Sequence, residues 1–133
     1  MPRFKKNDYK ELKEYLYNSY DHDAIIEKLK YDFGGNSIRI EMFNPFFKVK
    51  IYLTLNGIET VLATKGDWRE GRRDTLIGIA ALEDYSDLRN ELPRYKENED
   101  GNLYLLFEMF SGDKLHIVSK EVIIENIRQL DDE

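Results

Sequence analysis

Residues 47–62, FKVKIYLTLNGIETVL, decide the fold class. Apolar Phe47, Val49, Ile51, Leu53 and Leu55 alternate with Lys48, Lys50, Tyr52 and Thr54. Side chains two apart share one face of a strand, so this period marks a half-buried β-strand. The run ends at Asn56-Gly57, a pair suited to a type I′ turn, where both central residues need positive φ. The pattern therefore predicts a hairpin there, with Leu55 opposite Ile58, Leu53 opposite Thr60 and Ile51 opposite Leu62.

The same period extends to both sides. Upstream, residues 24–33 set Ile25, Leu29, Tyr31 and Phe33 against Lys28, Lys30 and Asp32. Residues 37–43 set Ile38, Ile40 and Met42 against Arg39 and Glu41, with Gly34-Gly35-Asn36 as the short hairpin connection between them. Downstream, TLIGIAALEDY (75–85) is apolar on both faces, as a strand covered from both sides would be. Three further strands are expected at Leu103–Phe110, Lys114–Ser119 and Glu121–Ile127, with Ser111-Gly112-Asp113 turning between the first two. Helical spacing is clearest at the N-terminus, where Tyr9, Leu12, Leu16 and Tyr20 recur at three- and four-residue intervals. Asp8 reads as its N-cap, with Glu11 completing a capping box. A second, short helix is expected from Asp84–Leu88, ending near Pro93.

These elements define a mainly β (α+β) chain of about eight mostly antiparallel strands, curled or sandwiched, with one N-terminal helix. Parallel crossovers need about a dozen residues each, and the loops are too short for them. Residues 1–133 form a single domain: helix 8–20, then a β domain over 23–128. A chain of 133 residues can bury about two-thirds of its unfolded surface without staples.

Composition narrows the chemistry. With no Cys, disulfides, thiolate metal sites, iron–sulfur clusters and a Cys nucleophile are excluded. The net charge of -6 argues against sequence-independent nucleic-acid binding, which needs a basic footprint. Residues 1–20 balance to +2 and 21–66 to zero, while 67–101 and 102–133 each balance to -4. The negative excess thus belongs to the second half, where it keeps small domains apart in solution or complements a basic partner. No signal-peptide pattern follows Met1, and no window reaches the length of about 18 apolar residues that a membrane span needs. A cytoplasmic location, no membrane, no cofactor and no metal are the expectations.

Three places carry candidate chemistry. Asp21-His22-Asp23, between the helix and the first strand, could supply metal ligands or an acid–base pair. On an extended chain only Asp21 and Asp23 would share a face, and the other histidine, His116, lies in a later strand. The alternative is a turn in which an Asp accepts backbone N–H groups. The loop after residue 65 holds the only Trp, Trp68, with Asp67, Arg69, Glu70, Arg72 and Arg73. Trp and Arg dominate binding hot spots, so this loop is either a contact surface or a cap folded back on the core. Phe43-Asn44-Pro45-Phe46-Phe47 is either a docking surface or a bulged strand entry whose rings fill the core. No Walker loop, Gly-x-Ser-x-Gly elbow or His-Glu-x-x-His occurs, and no catalytic residue is assigned.

A His-Asp step before the first strand, FNPFFKVKIYLTLNGI, a buried strand ending in DYS, and FSGDKLHIVSKEVII together resemble a known family. They look like the small, mainly β bacterial immunity proteins of polymorphic toxin systems, or their uncharacterised relatives, over residues 20–127. The resemblance implies a cytosolic, cofactor-free protein that neutralises a toxin domain by occlusion. The leading expectation is accordingly a non-catalytic protein-binding domain, monomeric or weakly dimeric, with a basic protein partner. A small-molecule-binding or hydrolytic β domain with a carboxylate/His pocket, and a homo-oligomeric structural subunit, are the alternatives.

Overall fold

The structure, a computed structural model of the chain, describes residues 2–64, 74–96 and 101–128. Its elements are β1 (Arg3–Lys5), α1 (Tyr9–Tyr17), β2 (Ile25–Asp32), β3 (Ser37–Asn44), β4 (Val49–Thr64), β5 (Asp74–Leu82), α2 (Ser86–Glu91), β6 (Leu103–Met109) and β7 (Lys114–Arg128). A single 3-10 turn, Lys6–Asp8, leads into α1. All pairings are antiparallel, in the order β1-β7-β4-β3-β2-β5-β6, and β6 also pairs with β7. The sheet therefore curls until its ends meet. The mainly β class with one N-terminal helix is what the periodicity predicts.

Two long strands replace four expected ones, and an unexpected short strand, β1, brings the described strands to seven rather than about eight. The chain does not reverse at Asn56-Gly57. It continues as β4 along β7, from Val49 opposite Arg128 to Thr64 opposite Lys114. Gly57 does take a positive φ of 67°, but as a kink within a strand. Lys120 lies between the two expected terminal strands and is likewise inside β7. Asn56 faces Glu121 and Ile58 faces Ser119, so Gly57 and Lys120 fall in the same step of both strands. Leu55 and Ile58 both pack on the main core, as do Ile117 and Val122, so the inward parity of each strand switches there. A Cβ on Gly57 would sit 3.0 Å from the Lys120 stem. Glycine is what lets the two strands bend together.

α1 is also shorter than the expected 8–20. Asp8 makes no side-chain cap on it, and instead accepts the Lys5 N–H at 2.9 Å, one turn earlier. The expected Asp8–Glu11 box is therefore not formed, Asp8 closes the 3-10 turn with Lys5 instead, and Tyr20 falls beyond the helix end. The main core fills the inside of the curl: Ile38, Ile40 and Met42 of β3, Val49, Ile51, Leu53 and Leu55 of β4, Leu105 and Phe107 of β6 and Ile117 of β7. Leu12 and Leu16 of α1 and Phe4 of β1 close it. A second cluster lies where α2 packs: Tyr85, Leu88, Tyr104, Leu106 and Val118, with Leu62, Leu82, Leu92 and Tyr95 at its margin. Neighbouring residues of β6 and β7 serve the two clusters alternately. That explains why these strands are apolar on both faces.

Candidate functional site

The two upstream candidate segments meet. Asn44, at the end of β3, is buried and uses its whole amide. Its Oδ1 accepts the N–H groups of Phe46 (2.9 Å) and Phe47 (3.2 Å), closing an Asx-type turn. Its Nδ2 donates to the carbonyls of Tyr20 (2.9 Å) and His22 (3.1 Å). One side chain thus staples the 20–22 segment to the aromatic turn. Phe46 and Phe47 do not fill the core: they are 75% and 56% exposed. Phe47 consequently leaves the inward face that the alternation assigns it, because the chain is still turning at Lys48, whose φ is 54°. The Tyr20 ring lies 5.5 Å from that of Phe47.

Asp21, His22 and Asp23 divide differently from the expectation. Asp21 turns inward, is buried, and accepts the Ile79 N–H at 2.8 Å and the Ser19 hydroxyl. His22 and Asp23 remain at the surface, with Nδ1 of the imidazole 3.0 Å from a carboxylate oxygen of Asp23. Adjacent residues can pair here because Asp23 has a φ of 66°, outside the extended region where neighbours point apart. Asp21 does accept a backbone N–H, but from Ile79 on a distant strand rather than from within a local turn.

His116 is buried in β7 away from that turn's hydrogen bonds. Its Nδ1 lies 2.7 Å from the Tyr104 hydroxyl, and the two rings stack at 5.9 Å. Its Nε2 is buried and has no hydrogen-bond partner among the described residues. Burial lowers the His116 pKa; Glu91 and Asp87 oppose this and Lys114 adds to it. Burial raises the Tyr104 pKa, with Asp87 and Tyr85 adding, so the phenol stays protonated, and the imidazole tautomer decides which of the two groups donates. Nearby, Glu59 accepts from the Tyr95 hydroxyl at 2.9 Å and from the Asn102 amide, while Tyr85 donates to the Asn102 carbonyl at 3.0 Å. This network ties α2 and the following turn to the sheet. The sequence placed His116 in a strand, but its phenolic partner sits in another strand and carries no local signal.

No pocket collects Asp21, His22, Asp23 and His116 among the described clefts. Asp67, Trp68, Arg69, Glu70, Arg72 and Arg73 lie outside the described residues. Among the described residues, no group of three His, Asp or Glu side chains could hold a metal ion. Nor is any described helix long and apolar enough to cross a membrane. The arrangement at Tyr20, His22, Phe46 and Phe47 offers apolar rings beside a polar pair on a fixed backbone. Such a surface suits contact with another protein. No protein-family model matches the chain, and no curated protein matches it.

Proposed function

We propose that this is a non-catalytic protein-binding domain of immunity type, which occludes a toxin domain through the surface built on Asn44. The observation that carries this reading is the exposure of Phe46 and Phe47 on a turn held by all four hydrogen bonds of one buried amide. Exposed apolar rings lose water on contact, and a turn already fixed loses little entropy in doing so. Tyr20 widens the apolar area, and the His22–Asp23 pair supplies directional polar groups at its margin. The net charge of -6 favours encounter with a basic partner and selects against acidic ones. The resemblance of residues 20–127 to small bacterial immunity proteins supplies the partner class. The Trp68 loop, with Arg69, Arg72 and Arg73, is the second contact element in this reading.

Affinity capture from the native host, at low and then high salt, tests the proposal. The expected result is one retained protein that arrests growth when expressed alone and is harmless beside this chain. The Phe46→Ser/Phe47→Ser variant should lose that protein while still folding. Capture of nothing, or of a protein without toxicity, overturns the reading.

A further inference from the structure

A cleft of about 560 Å³ opens between the start of the chain and the bend shared by β4 and β7. It is lined by Lys5, Lys6 and Lys120, with Asn7, Asn56, Gly57, Gly101 and Glu121. We infer that it is a binding site for a phosphate-bearing ligand. The site stands apart from the reading of Phe46 and Phe47, and does not depend on it.

Four observations carry the inference. Three lysines line one concavity in a chain whose net charge is -6. Among the described residues, none of the three forms an ion pair with a carboxylate. Lys6 instead rests with Nζ 5.7 Å from the centroid of the Tyr85 ring. The lone described carboxylate of the lining, Glu121, is already engaged, accepting from the Asn56 amide at 3.0 Å and facing the Arg3 guanidinium at 3.7 Å.

Two of the lysines are seated by the absence of a side chain opposite them. A Cβ on Gly101 would come within 3.0 Å of Lys6 Cγ, and one on Gly57 within 3.0 Å of Lys120 Cβ, Cγ and Cδ. Both glycines hold positive φ, 78° and 67°. Their bare backbones leave room for the two lysine stems to lie close against the chain. The choice of lysine over arginine decides the ligand class. A planar carboxylate is best met by the fork of a guanidinium, whereas point charges around a concavity suit a tetrahedral, multiply charged phosphate.

The test is titration of the full chain with inorganic pyrophosphate, followed by calorimetry and by the backbone amide resonances. Saturable binding is expected, with shifts at Lys5, Lys6, Asn7, Gly57 and Gly101, and weakening as salt rises. Lys6→Gln and Lys120→Gln remove the charge while keeping Cβ and Cγ, and should each weaken binding about tenfold. A Glu-rich peptide should bind more weakly than pyrophosphate. Absence of saturable binding, binding by both glutamine variants as tight as that of the unchanged protein, or preference for the acidic peptide overturns the inference. The sequence Glu97-Asn98-Glu99-Asp100 runs into Gly101 and lies outside the described residues. Pyrophosphate binding that appears only after Glu97→Gln/Glu99→Gln/Asp100→Asn makes that run the occupant, and overturns it too.

Discussion

A carboxylate oxygen of Asp21 accepts the backbone N–H of Ile79 at 2.8 Å. Among the described residues, β2 and β5 pair at Ile25 with Thr75 and at Ile26 with Asp74. Beside them, Leu76 exchanges backbone bonds with Asp23 and Ala24. Past that point the neighbouring strand turns away, and the Asp21 side chain stands in for it. Removing the acceptor should leave the Ile79 N–H buried and unpaired. Asp21→Ala is expected to cost about 3 kcal/mol and Asp21→Asn, which keeps an oxygen, about 1 kcal/mol, by urea denaturation.

Asn44 and Phe46 should separate stability from recognition. Asn44→Ala removes four hydrogen bonds and should cost about 2–4 kcal/mol. Phe46→Ser changes an exposed ring and should move stability by less than about 0.5 kcal/mol. Paired melting curves of the two variants check this. Equal losses would mean that the Phe46 ring is packed in solution.

The bend shared by β4 and β7 predicts an ordering among glycines. Gly57→Ala meets both a positive φ and the Lys120 stem, whereas Gly112, at φ 94°, has nothing within 4 Å of its would-be Cβ. Alanine at Gly112 should cost about 1 kcal/mol from backbone conformation alone, and at Gly57 about 2 kcal/mol or more. Denaturation midpoints of the two single variants read the difference.

His116 links stability to pH. Burial holds its folded-state pKa below the ordinary imidazole value. Below about pH 6.5 the unfolded chain therefore takes up a proton that the folded chain resists, so stability falls with falling pH. The contribution is fully present above that value and is lost as pH drops toward the folded-state pKa. Its slope is at most about 1.4 kcal/mol per pH unit for one proton. His116→Gln should flatten the difference in unfolding free energy between pH 7 and pH 5. An unchanged slope would place the imidazole in water.

Much of this was legible in the sequence because it is local. Alternation located β2, β3 and the first half of β4, and two-sided apolarity located β5 and β6. What alternation cannot distinguish is a reversal from a bend. Asn56-Gly57 carries the dihedral preference of a hairpin turn, but Gly57 spends its positive φ on a kink, and the partner that decides the matter is Lys120 on β7. The surface was legible as residue types and not as a place. Phe46 and Phe47 were visible as aromatic, yet their exposure follows from Asn44 bonding to Tyr20 and His22, a segment on the far side of β2 and β3. The lysine cleft joins Lys5 and Lys6 to Lys120 across the whole chain, and no window of sequence contains it.

β7 pairs with β4 along one edge and divides the other between β6 and β1. It is also made on the ribosome after all three of its partners. Until it emerges, β4 and β6 each offer a strand edge with nothing on it, in a chain whose core still lacks Leu115, Ile117, Val118, Val122 and Ile124. Such edges are templates for pairing with other molecules. Synthesis stalled before Lys114 is thus the moment at which this protein is most exposed to aggregation, and arrival of β7 ends the hazard on both edges at once.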